Sequence, residues 1–332
     1  MRIGLSVGLG DDWRESLKKV EIAEDLGVEF ISTGEAWGPS SIPWLAVVAT
    51  CTSKATVGTN ILNVFSRTPA AIAQEFATLE QLSGGRMALG LGSSGEYVIE
   101  HFHGIPFEKP LRRLREYVEI FDILIAGKQL NYEGEIFKLQ RGFRLDYERP
   151  RTKVPVYIAA ITPKSIRQTG AIADGIFPIH WPKDHFESLR ADLRAGAVEA
   201  GRPADQPFTI APFTKVSVLT GSSEDEALWR EARRLIQYYV NRMGVFYWQM
   251  LTRNGFADEV ARSRAAWAAH DAEGSIAAIS DDMVRACQVI GSLDEVRAQL
   301  RERSALGADL QILYTPPGDA VAVGHWLESV MK

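Results

Sequence analysis

Over the first ninety residues, short runs of alternating apolar and polar positions are separated by longer stretches with the 3.6-residue period of an amphipathic helix. That rhythm builds parallel strands joined by crossover helices. Residues 3–7 read as a first strand and 13–26 as its helix, which Gly27 ends because glycine tolerates the left-handed geometry of a C-cap. Residues 28–32, 55–60 and 87–91 follow as strands, with helices at 41–51 and 69–82 between them. Pro69 opens the second of these helices, where its missing N–H costs nothing, and the turn Ser83-Gly84-Gly85-Arg86 leads into the fourth strand.

Beyond an amphipathic helix at 111–126, residues 131–145 read as a hairpin turning at Glu133-Gly134. Strands are predicted at 154–160, 175–179, 208–219 and 308–314, and helices at 164–173, 186–200, 293–306 and 318–331. A helix at 224–242 and the aromatic and Ala-rich pieces after it break the rhythm, and an insertion is placed at about 240–290. Eight strands that close on themselves leave no open edge. The expectation is one α/β domain over 1–332, a (β/α)8 TIM barrel with two excursions. Against an open doubly wound sheet stands Gly8-Leu9-Gly10, which lacks the third glycine of a dinucleotide fingerprint.

At 332 residues and 46% hydrophobic content the chain can bury one large core. A net charge of -5 gives no basic footprint for nucleic acid. Cys51 and Cys287 are too few for a disulfide framework, which fits a reducing cytoplasm. The first residues enter a strand at once without a leader-like apolar run, and no stretch reaches the roughly 18 apolar residues of a membrane span. His101 and His103 do not share a helix face, and neither a zinc motif nor a nucleophile elbow is present, so no metal site is expected.

In a barrel, chemistry gathers in the loops after the strands. The second strand is followed by Gly34-Glu35-Ala36-Trp37-Gly38, an acid and an aromatic between glycines that serve a site or merely dress the rim. The third is followed by Thr59-Asn60-Ile61-Leu62-Asn63, where small and amide side chains allow a flat ligand to approach, and then by Arg67, read first as a rim salt bridge. The fourth leads to Gly92-Ser93-Ser94-Gly95-Glu96, and the fifth to Ala159-Ala160-Ile161-Thr162-Pro163-Lys164-Ser165. Thr162 there is placed to N-cap a helix with Pro163 at its first position, presenting free amides and the positive dipole end to an anion, with Lys164 and Ser165 as extra donors. His180-Trp181 follows the sixth strand, to line a cofactor, move a proton or sit hydrogen-bonded in the rim. The aromatic stretch 238–248 is read first as core, with a substrate pocket or a dimer contact as alternatives.

Taken together, Val57-Gly58-Thr59-Asn60, Arg67-Thr68-Pro69, Ser83-Gly84-Gly85-Arg86, Leu89-Gly90-Leu91-Gly92, residues 154–160 with Thr162-Pro163-Lys164, and Ala173-Asp174-Gly175 resemble the signature of the luciferase-like superfamily. The similarity is greatest to its coenzyme F420-dependent branch, to which methylenetetrahydromethanopterin reductase belongs, and covers most of 1–220 and 307–314. The resemblance implies a barrel that holds coenzyme F420 at its mouth against a bulge in the third strand, with a non-prolyl cis peptide joining Asn60 and Ile61. It implies a cofactor site built from Thr59, Asn60, Ile61, Gly92, Ser93, residues 159–165 and Trp181, with the coenzyme phosphate near Thr162, and a substrate flanked by Trp37 and Asn63. Glu96 resembles the proton-transferring carboxylate of the F420-dependent sugar dehydrogenases, if burial tunes it. Their Asp-His pair is replaced here by Gly34-Glu35, which leaves Glu35 and His180 as the other catalytic candidates. The implied function is hydride transfer between F420 and an organic substrate by a cytoplasmic homodimer. The alternatives are an FMN-dependent monooxygenase and a non-catalytic flavin carrier.

Overall fold

The computed structural model describes residues 1–332. Its barrel strands run in parallel, in chain order: Ile3–Ser6, Phe30–Thr33, Thr56–Thr59, Met87–Gly92, Val156–Ile158, Gly175–Ile176, then a divided seventh strand, then Gln311–Tyr314 beside the first. The division falls at Ala211-Pro212, because proline brings no N–H to a ladder. Thr209–Ile210 pairs with Gly175–Ile176 on one side, and Phe213–Thr214 pairs with Gln311–Tyr314 on the other. Backbone bonds from Ala211 N to Ile176 O (2.9 Å) and from Ile312 N to Pro212 O (3.0 Å) continue both seams, so the barrel closes.

The seventh strand is shorter than its sequence pattern suggests. Val216–Val218 leaves the barrel and pairs in parallel with Val289–Gly291. Between these two segments lie the helices Asp225–Arg242, Val245–Arg253, Ala257–Ala268, Ala272–Ala277 and Asp281–Cys287, so the insertion starts well before residue 240. The other excursion pairs Leu130–Glu133 with Lys138–Phe143. Its turn is wider than Glu133-Gly134, closed by Gly134 N to Phe137 O at 2.8 Å. The buried Glu116 carboxylate holds this turn by accepting from the amides of Glu135, Ile136 and Phe137.

Phe30, Ala88, Phe177, Ala211, Leu310 and Ile312 fill the barrel, separated from the larger core between strands and helices, and Ile61, Tyr157 and Phe213 pack on them. Tyr157 stacks on Phe177 at 5.0 Å, and Phe30 meets both rings edge-on. A Cβ at Gly58 would lie 2.8 Å from the Phe30 ring, so glycine there makes room for this plug. No helix is long and apolar enough to cross a membrane.

A candidate redox site at the barrel mouth

The third strand stops at Thr59 and resumes as Leu62–Asn63, which pairs with Leu91 and Gly92. Between the two pieces the Asn60–Ile61 peptide bond is cis, as the resemblance implies. Thr59 is buried, and its hydroxyl donates to Gly90 O (2.9 Å) while accepting from Gly90 N (2.8 Å). A Cβ at Gly90 would collide with the Thr59 carbonyl. Thr59 is therefore a clasp between two strands, its only O–H spent on the Gly90 carbonyl and one lone pair left open.

Asn60 Nδ2 donates to Ser6 Oγ (3.1 Å) and Ser32 Oγ (2.9 Å), which ties the bulge to the ends of the first two strands. Its Oδ1 is buried with no partner. Since buried acceptors are almost always satisfied, this oxygen is a vacancy for a donor from outside the chain. Ile61 lies over Gly92, where a Cβ would stand 3.0 Å from Ile61 Cδ1. Ser93, half-buried, donates to the carbonyl of Ser94.

Three side chains of the neighbouring loops are committed to partners within the chain. Glu35 receives Arg67 Nη1 at 2.6 Å and Nη2 at 3.0 Å, and also the Ser41 amide at 2.9 Å. Burial raises its proton affinity, but Arg67 and the Ser41 amide outweigh it and hold the carboxyl below its usual range. Such a carboxylate has no proton to give and little tendency to take one, so Glu35 is an anchor, and Arg67 is the rim salt bridge the sequence suggested. Asn63 is buried, with Oδ1 accepting from the amides of Phe65 and Ser66 and Nδ2 facing His103, so it shapes its own loop rather than a substrate pocket. Trp181 is buried in the main core with its N–H donated to His185 O, so its ring is not presented to a cofactor.

Trp37 stands exposed at the rim, 58% accessible. Glu96 is also exposed, the first residue of the short helix Glu96–His101, so the chain alone does not give it the burial its catalytic reading calls for. Ala159 is exposed, Ala160 buried and Ile161 half-buried. Thr162 caps the helix Pro163–Ile172 in a capping box, its side chain accepting from Ser165 N and Ser165 Oγ accepting from Thr162 N. Ile166 N is bonded to Thr162 O, and Pro163 has no N–H. Lys164 N is thus the free amide of this terminus, fewer donors than an uncapped helix would offer. Arg253 compensates, as its Nη2 reaches Ile161 O at 3.2 Å and brings a cation from the inserted helix Val245–Arg253. No pattern in the local sequence connects residues 161 and 253.

His180 follows the sixth strand, just beyond the bridge of Ile179 to Phe213, in the left-handed region (φ 51°), with its carbonyl accepting from the Cys287 thiol at 3.2 Å. The ring is 3% exposed, Nε2 has no partner, and burial pushes its pKa down to about 3, so it is neutral at ordinary pH. Tyr239 from the helix Asp225–Arg242 packs edge-on to it at 4.5 Å, and Tyr247 packs on Tyr239 at 4.9 Å. Tyr314, the last residue of the eighth strand, completes the group and rests on Phe213 at 5.6 Å. Two of the five aromatic residues in the stretch read first as core, Tyr239 and Tyr247, are therefore at the mouth. The signal for Tyr314 was available, since it is the final residue of a strand.

The family model for luciferase-like monooxygenases matches residues 1–310. The chain is 29% identical over 306 residues to 5,10-methylenetetrahydromethanopterin reductase of Archaeoglobus fulgidus, covering 90% of this chain and 89% of the relative. To the F420-dependent glucose-6-phosphate dehydrogenase of Nakamurella multipartita it is 34% identical over 200 residues, 58% of either chain. Among solved structures, the coenzyme F420-dependent tetrahydromethanopterin reductase of Methanopyrus kandleri superposes with a TM-score of 0.83 at 23% identity, covering 99% of this chain and 98% of that one. The barrel with its interrupted third strand, and a family match running through nine-tenths of the sequence, make this chain a member of the luciferase-like monooxygenase family and an oxidoreductase.

Proposed function

We propose that this oxidoreductase moves a hydride between coenzyme F420 and an organic substrate. The observation that carries the reading is the bulge at Asn60–Ile61. It has an orphaned acceptor, Asn60 Oδ1, and glycine at position 92 beside it, so the residues present fit a flat ring carrying an N–H. Two relatives named for F420 match 94% and 58% of this chain, which favours deazaflavin over FMN. When bound, the deazaflavin supplies the two-electron hydride chemistry.

The protein's part is to bind, orient and exclude water. Asn60, Ile61, Gly92 and Ser93 support the ring. Ala159, Ala160 and Ile161 line its edge, and the phosphate is held by Lys164 N, the Lys164 side chain and Arg253 at the positive end of the helix Pro163–Ile172. His180 is neutral and serves as a hydrogen-bonding wall. Glu96 at the rim is the carboxylate left free to carry a proton once a ligand covers it.

The test is fluorescence titration of the purified chain with F420 and, separately, with FMN. Micromolar or tighter F420 binding is expected, with much weaker FMN binding. Glu96→Gln should bind F420 like the native chain, because its assigned role is proton transfer rather than anchorage. FMN binding without F420 binding would replace this reading with a flavin monooxygenase.

A further inference from the structure

His180, Tyr239, Tyr247 and Tyr314 come together from four separate segments, the loop after the sixth strand, the end of the eighth and two inserted helices. Tyr239, Tyr247 and Tyr314 remain partly accessible at the barrel mouth, while their packing against neighbouring rings shields each phenol from water and raises its pKa. No hydrogen bond within the protein acts on any of the three, and the only other groups that influence them are one another and Tyr238. His180 adds a buried ring nitrogen without a partner. The group is thus a set of uncommitted hydrogen-bonding atoms with no Asp, Glu, Lys or Arg among them.

We propose that this aromatic cluster is a substrate subsite, and that it takes the carbonyl end of an uncharged organic molecule. The assignment rests on the barrel mouth being the redox site argued above. An ion seated among these rings would lose its hydration without meeting a counterion, which opposes its binding. A neutral carbonyl suffers no such loss. Each phenol has one O–H to donate, and the two lone pairs of a carbonyl oxygen can receive two of them. Donors fixed there also stabilise negative charge as it builds on that oxygen during a hydride transfer. Tyr239 and Tyr247 arrive on the insertion rather than on the barrel, so they are the residues by which this chain sets its substrate preference.

Acetophenone, benzoate and benzyltrimethylammonium share one ring and differ in charge, and each can be titrated calorimetrically into the intact chain without cofactor. Acetophenone is expected to bind most tightly, with its carbonyl stretch moved to lower wavenumber in the infrared difference spectrum. Tyr239→Phe, Tyr247→Phe and Tyr314→Phe keep the rings and remove the donors. At least two of the three should weaken acetophenone by about three- to tenfold, the worth of one hydrogen bond, and diminish the shift. Failure of acetophenone to bind, benzoate or the ammonium ion binding as tightly, or phenylalanine variants indistinguishable from the native chain would each overturn the proposal. Ammonium preference would mean that the ring faces form a cation cage instead. F420 titration of the native chain is a separate measurement, so loss of the cofactor reading leaves the ketone result to decide the subsite alone.

Discussion

His180 is buried without a partner for Nε2, and burial alone drives its pKa down to about 3 from an ordinary value near 6.5. In the unfolded chain the imidazole recovers the ordinary value. Between the two, the unfolded state binds a proton that the native state refuses, so stability rises with pH across that window and is lost as pH falls below about 6.5. Glu35, held low by Arg67 and Ser41, also withdraws stability as pH falls through its folded pKa, so the histidine must be isolated by comparison. His180→Asn keeps a residue that tolerates positive φ. Urea unfolding between pH 4 and 6 should show a slope shallower than the native one by about 1.4 kcal/mol per pH unit, the equivalent of one proton. Equal slopes would mean that the imidazole is protonated in the fold. Residues such as these expose what a linear sequence hides. Glu35, Asn63 and Trp181 stand just after strands, where functional residues belong, but their partners decide their work. Arg67 lies 32 positions from Glu35, and nothing local forecasts that the two meet. The cis peptide joining Asn60 and Ile61, by contrast, was legible because the motif that carries it is contiguous in the sequence.

The helices Pro163–Ile172 and Phe186–Glu199 cross at two glycines. A Cβ at Gly170 would strike the Leu193 carbonyl, and one at Gly196 the Arg167 carbonyl, so the backbones meet with nothing between them. Helix propensity alone predicts that Gly196→Ala gains about 1 kcal/mol. Close packing predicts the opposite, a loss of about 1–3 kcal/mol as the helices are forced apart. Packing should win, because the collision is with main chain that cannot rotate away. The first helix carries Thr162 and Lys164 at its start, so its displacement should also weaken F420 binding several-fold. A thermal melt and an F420 titration check both effects, and a raised Tm would refute the crossing. The N-cap of this helix was readable from Thr162-Pro163, whereas Ser165, read as a donor for an anion, is spent closing the capping box. The boundary of the seventh strand was not, because Val216–Val218 has strand chemistry and only its partner, Val289–Gly291, shows that it has left the barrel.

Counting eight strands required only local periodicity, whereas closure depends on a seam between segments almost a hundred residues apart, which no local pattern reports. At that seam Asp309 Oδ2 accepts from Ile210 N (2.7 Å) and from Arg190 Nη2 (2.7 Å). Arg190 in turn donates to Phe208 O and Gly307 O, so one carboxylate and one guanidinium fasten the seventh strand, the eighth strand and the helix Phe186–Glu199 together. The mouth depends on this seam, because the seventh strand leads into the insertion that carries Tyr239, Tyr247 and Arg253, while the eighth strand ends in Tyr314. Asp309→Ala leaves the Ile210 amide without its side-chain acceptor and removes a partly shielded ion pair, for an expected loss of about 2 kcal/mol. The closed barrel shares one core across the seam, so unfolding should remain a single transition by both circular dichroism and tryptophan fluorescence, shifted to lower denaturant. Two separated transitions would mean that the insertion and its supporting strands fold independently of the barrel, and that the aromatic wall of the mouth is docked rather than built in.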